Sequence, residues 1–429
     1  METPLRIGIA GLGTVGVGTL QILQQHAGDI AQRTGRQVQV VAVSMRDSKK
    51  NRGVDLSGIR IVADARDLAT ADDIDVVVEL IGGEEGIARE LVEAALKNKK
   101  HVVTANKALM AHHGQELAHL AETQNRLLAF EAAVAGGIPI IAGLRVGLAA
   151  NNITRVAGIL NGTCNYILTT MEKSGRDFDE VFAEASALGY VEADPSLDID
   201  GIDAAHKIAI LASLAFGTQI HFAGVKAEGI RAITLRDMRY AAEFGYRIKL
   251  LGVASYDGQR VYQAVRPLLI PLSSPLASVD GSFNAVQVAA DAAGGSMFVG
   301  RGAGAGPTGS AVVSDIMAIA RGDRYSPFTV PAGQLKPAAN VATSDGARAF
   351  YLRLSVQDAP GVLAEITRIF AHENISVRAI TQRECMPDGA AQVVVITHAT
   401  ASDAMQRAVA AIGALAVCVA APVCLGIEQ

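Results

Sequence analysis

The sequence predicts a three-part α/β protein: a parallel sheet wound with helices, then an α+β unit, then a small βαββαβ unit. Three observations predict it. A chain of 429 residues exceeds one ordinary core, and roughly 150 residues per domain gives about three units. Over residues 1–150 short apolar runs alternate with helical patterns, the grammar of βαβ units around a parallel sheet. That grammar changes after Asn151, and again after a stretch at 322–348 that carries Pro327, Pro331 and Pro337 among Gly, Ser and Asp, a linker composition.

In the first part, strands are expected at Leu5–Ala10, Val38–Ser44, Val76–Ile81, His101–Thr104 and Leu127–Ala133. Helices are expected at Val15–His26, Gly86–Lys97 and Gln115–Gln124. In the middle part, 151–321, Asn161–Lys173, Phe178–Leu188 and Ile199–Phe216 read as helices, and Lys249–Ser255 and Val261–Leu269 as strands. A helix near Ser310–Ala320 is expected to return to the first part. In the last part, 349–429, Phe350–Val356, Gly361–His372, Ile375–Glu384, Gln392–His398, Asp403–Ile412 and Val417–Ala421 alternate as βαββαβ, a ferredoxin-like order. The uncharged run Ala408–Ile427 has the length of a membrane span, but Gly413 and Pro422 divide it into a helix and a strand.

Composition narrows the function. The net charge is −5, from 38 Lys and Arg against 43 Asp and Glu, without the basic excess of a nucleic-acid binder. The four cysteines show no CxxC or zinc-like spacing and read as free thiols of a reducing compartment. A cytoplasmic protein with neither nucleic acid nor membrane as partner is expected.

The first chemical signal is Gly11-Leu12-Gly13-Thr14-Val15-Gly16, a G-x-G-x-x-G that follows a strand and opens a helix. Gly11 permits the tight turn, Gly13 lets backbone approach a pyrophosphate, and Gly16 lets helix pack on strand. Thr14 and Val15 open the helix, whose free N–H groups favour phosphate. A bound dinucleotide is expected. The second strand ends in Ser44-Met45-Arg46, with Asp47, Lys49 and Lys50 beyond. An arginine there pairs with a 2′-phosphate, so NADP is preferred and NAD tolerated.

The second signal is the run 189–207, with Glu192, Asp194, Asp198, Asp200, Asp203, His206 and Lys207. It leads into a helix that is otherwise apolar all round and therefore buried. Asp203 and Lys207 are i,i+4 neighbours. As an exposed pair they would add only about 0.3–0.5 kcal/mol, whereas charges at the polar end of a buried helix face a cavity. A lysine held there gives a proton to a carbonyl oxygen as hydride arrives and takes it back in reverse. Lys107, after the fourth strand, is the second lysine, and Glu192, Asp198 and Asp203 supply negative charge for a substrate ammonium.

Together, GIAGLGTVG at 8–16, TANKALM at 104–110, NGTCNYILT at 161–169, the 189–207 run and GRGAGAGPTGSAVVSD at 300–315 resemble homoserine dehydrogenase along essentially the whole chain. The resemblance implies a Rossmann-type NAD(P)-binding domain, a catalytic and dimerisation domain, and reversible conversion of L-homoserine to L-aspartate 4-semialdehyde in threonine, methionine and isoleucine synthesis. It implies Lys207 as proton donor and Lys107 as second active-site lysine, with Asp203 beside them. Glu192, Asp198 and Asp203 are implied to hold substrate, and Thr104, Lys107 and glycines Gly302 and Gly304 to contact cofactor. It also implies a monovalent cation, usually sodium, on Glu131, Val134, Gly136 and Ile138, with one carboxylate and backbone carbonyls as ligands.

Residues 350–429 resemble an ACT domain. Asp358, Gly361, Val362 and Leu363 form a turn into a helix N-terminus that suits an amino-acid carboxylate, and Asn374 is a further polar candidate. Such a tail implies threonine feedback and a homodimer or homotetramer, or else a module that only dimerises. Two rival readings remain open at this point. One is an acylating aspartate-semialdehyde dehydrogenase that uses Cys164 as nucleophile and a base such as His206. The other is a non-catalytic amino-acid sensor.

Overall fold

The computed structural model describes residues 3–47, 50–191, 194–338, 346–385 and 390–428. Six parallel strands form the first sheet, in the order β3-β2-β1-β4-β5-β6. They are β1 (Leu5–Ala10), β2 (Val38–Ser44), β3 (Arg60–Val62), β4 (Val76–Glu79), β5 (His101–Thr104) and β6 (Leu128–Ala129). Ile7, Ile9, Val76 and Val78 are fully buried, because helices cover both faces of the sheet. The strand order reverses between β1 and β4, and the crevice beyond their carboxyl ends is where such sheets take ligands.

The departures from expectation have local causes. β3 escaped notice because it is three residues long and largely exposed. The strand expected over Leu127–Ala133 stops at Ala129 and becomes a 3-10 turn, Glu131–Ala133, because Glu131 N–H donates to Asp315 instead of to a ladder. The helix expected from Gln115 begins at Lys107, where the Asn106 side chain caps it by accepting from Leu109 N–H. Gly201, with φ +83°, makes the helix expected over 199–216 start at Ile202, while Ile199 ends a separate short helix, Pro195–Ile199.

The second sheet runs through the rest of the chain. β7 (Ile153–Ile159), β9 (Tyr246–Tyr256), β10 (Val261–Pro271) and the hairpin β11 (Phe283–Ala290) and β12 (Gly294–Arg301) form its middle part, and β8 (Lys226–Ala227) pairs with β10. β13 (Phe350–Gln357), β14 (Val377–Cys385), β15 (Ala390–Thr397) and β16 (Cys418–Ile427) complete it in the order β16-β13-β15-β14. β16 joins the two parts by parallel pairing of Gly426 and Ile427 with Leu268 and Leu269 on β10. The register between β13 and β16 shifts around Pro422, where a proline cannot donate to the ladder.

The helix Ala305–Arg321 lies on the glycine-loop helix Thr14–Gln25. Contact is so close that a Cβ on Gly18 would sit 2.1 Å from the Ala305 carbonyl oxygen. Part of the proline-rich stretch is packed down as well: Phe328 is buried and the Pro327 carbonyl accepts from Arg145. Among the described residues no helix is long and apolar enough to cross a membrane.

Candidate active site

The glycine loop turns sharply because it has no alternative. Gly11 has φ +100°, and a Cβ there would lie 2.7 Å from the Leu80 carbonyl oxygen, while one on Gly16 would lie 2.1 Å from the Gly11 oxygen. Gly13, by contrast, has open space beside it. It precedes the helix Thr14–Gln25, whose N-terminus has no side-chain cap, so its N–H groups are available to an anion. Val15 is in the first turn. A cavity of about 840 Å³ opens there, lined by Gly11, Gly13, Thr14, Arg46 and Arg52 among others. Sequence reading had not singled out Arg52, which is anchored on the Leu12 and Lys50 carbonyls. Lys49 lies outside the described residues. Gly302 and Gly304 do not line this cavity: the Gly302 carbonyl accepts from Gly136 N–H, and Gly304 precedes the helix Ala305–Arg321.

At the carboxyl ends of β4 and β5 a hydrogen-bond chain fixes the floor of the cleft. The Thr104 hydroxyl donates to Glu79 at 2.6 Å and accepts from Asn106 N–H. The other Glu79 oxygen accepts from Ile81 and Gly82 N–H, and the Asn106 amide donates to the Gly83 carbonyl. This places Lys107 at the first position of its helix. Glu79 and Asn106 were missed; their signal was an acid at a strand end and an Asn just ahead of a helix.

Asp203 is the centre of the site. One carboxylate oxygen meets the Lys207 ammonium at 2.8 Å and the other meets Lys107 at 2.6 Å. Lys207 also donates to the Leu160 carbonyl at 2.7 Å. Asp203 is 4% and Lys207 8% exposed. Burial alone would raise the Asp203 carboxyl, but the Lys207 and Lys107 charges outweigh it and hold it well below the usual range. Asn161, another residue not foreseen, donates to Asp198 at 2.8 Å and to Asp203 at 2.9 Å, while its side-chain oxygen caps the helix Gly162–Ser174. The structure therefore gathers Lys107, Asp198, Asp203 and Lys207; Glu192 lies outside the described residues.

Cys164 does not have the surroundings of a nucleophile. Its thiol is buried and donates to the Asp198 carbonyl. Burial pushes the thiol well up, and Asp198 and Asp203 push it further, the opposite of thiolate activation.

Both Glu131 carboxylate oxygens accept backbone N–H groups, from Ile141 at 2.9 Å and Ala142 at 2.7 Å. Each oxygen keeps a second lone pair, so the Glu131 carboxylate and the main-chain carbonyls of Val134, Gly136 and Ile138 all remain as hard donors beside the short helix Ile140–Ala142. In the last domain Asp358, Gly361, Val362 and Leu363 line a cavity of about 250 Å³ together with Gln382, whose amide donates to Asp358. Asn374 does not join them. It follows the far end of the helix Val362–His372, which at 1.5 Å per residue is about 16 Å away along the axis.

Similarity to known proteins covers the same ground. The family model for the homoserine dehydrogenase NAD-binding domain matches residues 11–131, that for homoserine dehydrogenase matches 139–317, and that for the ACT domain matches 350–416. The chain is 46% identical to a homoserine dehydrogenase of Neisseria gonorrhoeae, over 98% of this chain and 97% of that one. It is 44% identical to that of Pseudomonas aeruginosa, over 96% of each. The crystal structure of a homoserine dehydrogenase from Thiobacillus denitrificans superposes with a TM-score of 0.94 at 44% identity, covering 100% and 99% of the two chains. A hyperthermophilic archaeal homoserine dehydrogenase in complex with NADPH superposes with a TM-score of 0.64 at 27% identity, covering 76% and 100%.

Proposed function

Because the chain belongs to the homoserine dehydrogenase family, we propose that it interconverts L-homoserine and L-aspartate 4-semialdehyde reversibly, on the path to threonine, methionine and isoleucine. The observation that carries this reading is the Asp203 carboxylate shared by Lys207 and Lys107, at the end of the parallel sheet where a dinucleotide's reactive end belongs. A bound nicotinamide dinucleotide supplies or accepts the hydride. The chain's own residues handle position and proton. Lys207 has three N–H donors; two are directed at Leu160 and Asp203, and the third is left for the substrate oxygen. It protonates that oxygen during reduction and recovers the proton during oxidation. Lys107 adds positive charge beside the same oxygen. Asp198, with Glu192, receives the substrate ammonium, and holding the substrate in line supplies part of the rate gain.

NADP is the preferred cofactor and NAD a tolerated one, because Arg46, Lys50 and Arg52 line the cavity and offer a 2′-phosphate cationic partners; the NADPH complex of the archaeal relative is in keeping with this. Thr104 serves this site through the loop it fixes. The Glu131 carboxylate and the carbonyls of Val134, Gly136 and Ile138 suit a hard monovalent cation such as sodium. The C-terminal cavity takes an amino-acid effector, threonine, through Asp358 and the N–H groups after Gly361, and the chain works as a homodimer or homotetramer in the cytoplasm.

The test is homoserine oxidation by the purified protein with NADP and NAD separately, each with and without threonine. Turnover is expected with both, faster at limiting NADP, slowed by threonine, and reduced about 10²–10⁴-fold in Lys207→Ala. Phosphate-dependent oxidation of the semialdehyde, lost in Cys164→Ala and with no homoserine turnover beside it, would overturn the reading.

A further inference from the structure

Beside the lysine cluster, three metal-ligating side chains meet across the cleft. Glu84 sits on the loop after β4, His112 on the second turn of the helix Lys107–Thr123, and His206 on the helix Ile202–Phe216, next in sequence to Lys207. One donor atom from each lies within 4.8 Å of the other two. His112 Nε2 is already 3.0 Å from a Glu84 carboxylate oxygen. The two imidazole rings are 5.6 Å apart between centroids and inclined by 60°. Two imidazoles on one tetrahedral zinc, with Zn–N of about 2.0–2.1 Å, would place their centroids about 5 Å apart, so a small side-chain adjustment closes the site.

A second observation points to a ligand. His206 is 7% exposed, yet its Nδ1 is buried with no hydrogen-bond partner, where buried polar atoms are normally satisfied. Phe222 stacks on the His206 ring at 4.4 Å and lies 4.8 Å from the His112 ring, which gives the cluster an apolar wall. Glu84 and His112 face solvent in part, so an ion has a way in.

We propose that Glu84, His112 and His206 form a binding site for a divalent transition-metal ion of the zinc class. Two imidazoles and one carboxylate suit zinc, cobalt or nickel, and suit magnesium or calcium poorly. Three protein ligands leave a fourth position for water. Two ligands come from the cofactor-binding part and one from the catalytic part, so the ion ties the two walls of the cleft together one residue from Lys207. Bound metal, held on the residue next to Lys207, slows turnover.

The experiment uses the full-length protein, free of any affinity tag and stripped of metal by chelation. Cobalt(II) is titrated in while its visible absorption is followed, and zinc is then added as competitor. One cobalt per chain is expected, with the absorption bands of a low-coordinate nitrogen–oxygen site, displaced by zinc and unaffected by excess magnesium. Loss of even an outer-shell partner costs 10–100-fold in affinity, so Glu84→Gln and His112→Gln, both on the open side, should each weaken binding at least about tenfold. Their turnover in metal-free buffer should match the wild type while zinc inhibition is relieved. Lys207→Ala should still bind cobalt, which keeps this test separate from that of the activity. Absence of saturable binding, or equal affinity in the wild type, Glu84→Gln and His112→Gln, would overturn the proposal.

Discussion

Two aspartates of this chain are buried beside positive charge, and they are built differently. Asp203 is held by two lysines and one asparagine. Asp237 is held by Arg353, at 2.6 and 3.2 Å, by the Tyr351 hydroxyl at 3.1 Å, and by the Thr234 backbone N–H and hydroxyl in a capping box. Asp237 is fully buried and ties the helix Leu235–Glu243 to β13 of the last domain. Arginine keeps its proton throughout and locks a carboxylate with a planar fork, whereas lysine is a mobile point charge that can give a proton up. A buried carboxylate saturated by Arg, Tyr and backbone is a fastener; one shared between two lysines is a working site. Comparing the chemistry of the partners separates the two where burial does not.

The largest expected effect comes from Asp203→Asn. It leaves two ammonium groups facing one another without a counter-charge, and breaking a buried pair costs about 3–5 kcal/mol; the partial exposure of Lys107, 30% at the side chain, puts this case at the lower end. Turnover should fall by at least about 10²-fold, since both lysines lose their anchor. The stability loss should also depend on pH. The folded-state carboxyl is held below its unfolded value of about 3.9. Its contribution is therefore fully present above about pH 5 and is lost as pH falls below 4 toward the folded value. Denaturant melts of both proteins between pH 7 and 3 should show the gap between them narrowing on the acid side. A gap that stays constant would mean that the folded Asp203 carboxyl titrates where the unfolded one does, and a gap that widens on the acid side would mean that it is protonated in the native protein.

How much of this was legible in the sequence follows from the range of each interaction. The glycine loop, the strands β1, β2 and β5, and the ferredoxin-like order of the last domain are local patterns, and they could be read as such. The Asp203–Lys207 pair is also local, one helical turn apart. The Asp203–Lys107 contact joins distant segments: the place of Lys107 after the fourth strand marks it as the second lysine, but nothing local pairs it with Asp203. Asn161 was hidden because its cap role looks like any helix start, and Glu79 because a lone strand-end acid has no periodicity. β7 and the β11–β12 hairpin were missed because their pairing is non-local and β12 carries Gly294, Gly295 and Gly300. Asn374 stands ahead of β14, as its sequence position indicates, and only the length of the helix Val362–His372 shows how far it lies from Asp358.

Arg353→Leu is the mirror-image test and the next largest effect. It leaves the Asp237 charge buried with only Tyr351, Thr234 and backbone as partners, at a cost of about 3–5 kcal/mol. Arg353 lies far outside the lysine cluster, so kcat at a temperature where the variant is folded should stay within about twofold of the wild type. Thermal melts together with steady-state rates would measure both. Asp237→Asn combined with Arg353→Leu should recover part of the loss, because the uncompensated charge is gone. Loss of activity in the folded variant would show that the fastener also sets the geometry of the catalytic part.

The smallest effect sharpens the comparison most. Tyr351→Phe removes one neutral donor from Asp237 and keeps the ring, which is among the largest fully buried side chains. Burial, with Asp237 beside it, pushes the Tyr351 phenol far above its ordinary range, so the group only donates and carries no charge at any working pH. Removing one such hydrogen bond to a carboxylate that keeps its Arg353 fork should cost about 1–2 kcal/mol, as a shift in the denaturant midpoint without a change in slope. That cost should be the same at pH 6 and pH 9, since the Tyr351 phenol stays neutral and Arg353 stays charged over that range. If it grew at higher pH, the fastener would contain a titrating group, and the distinction drawn between Asp237 and Asp203 would fail.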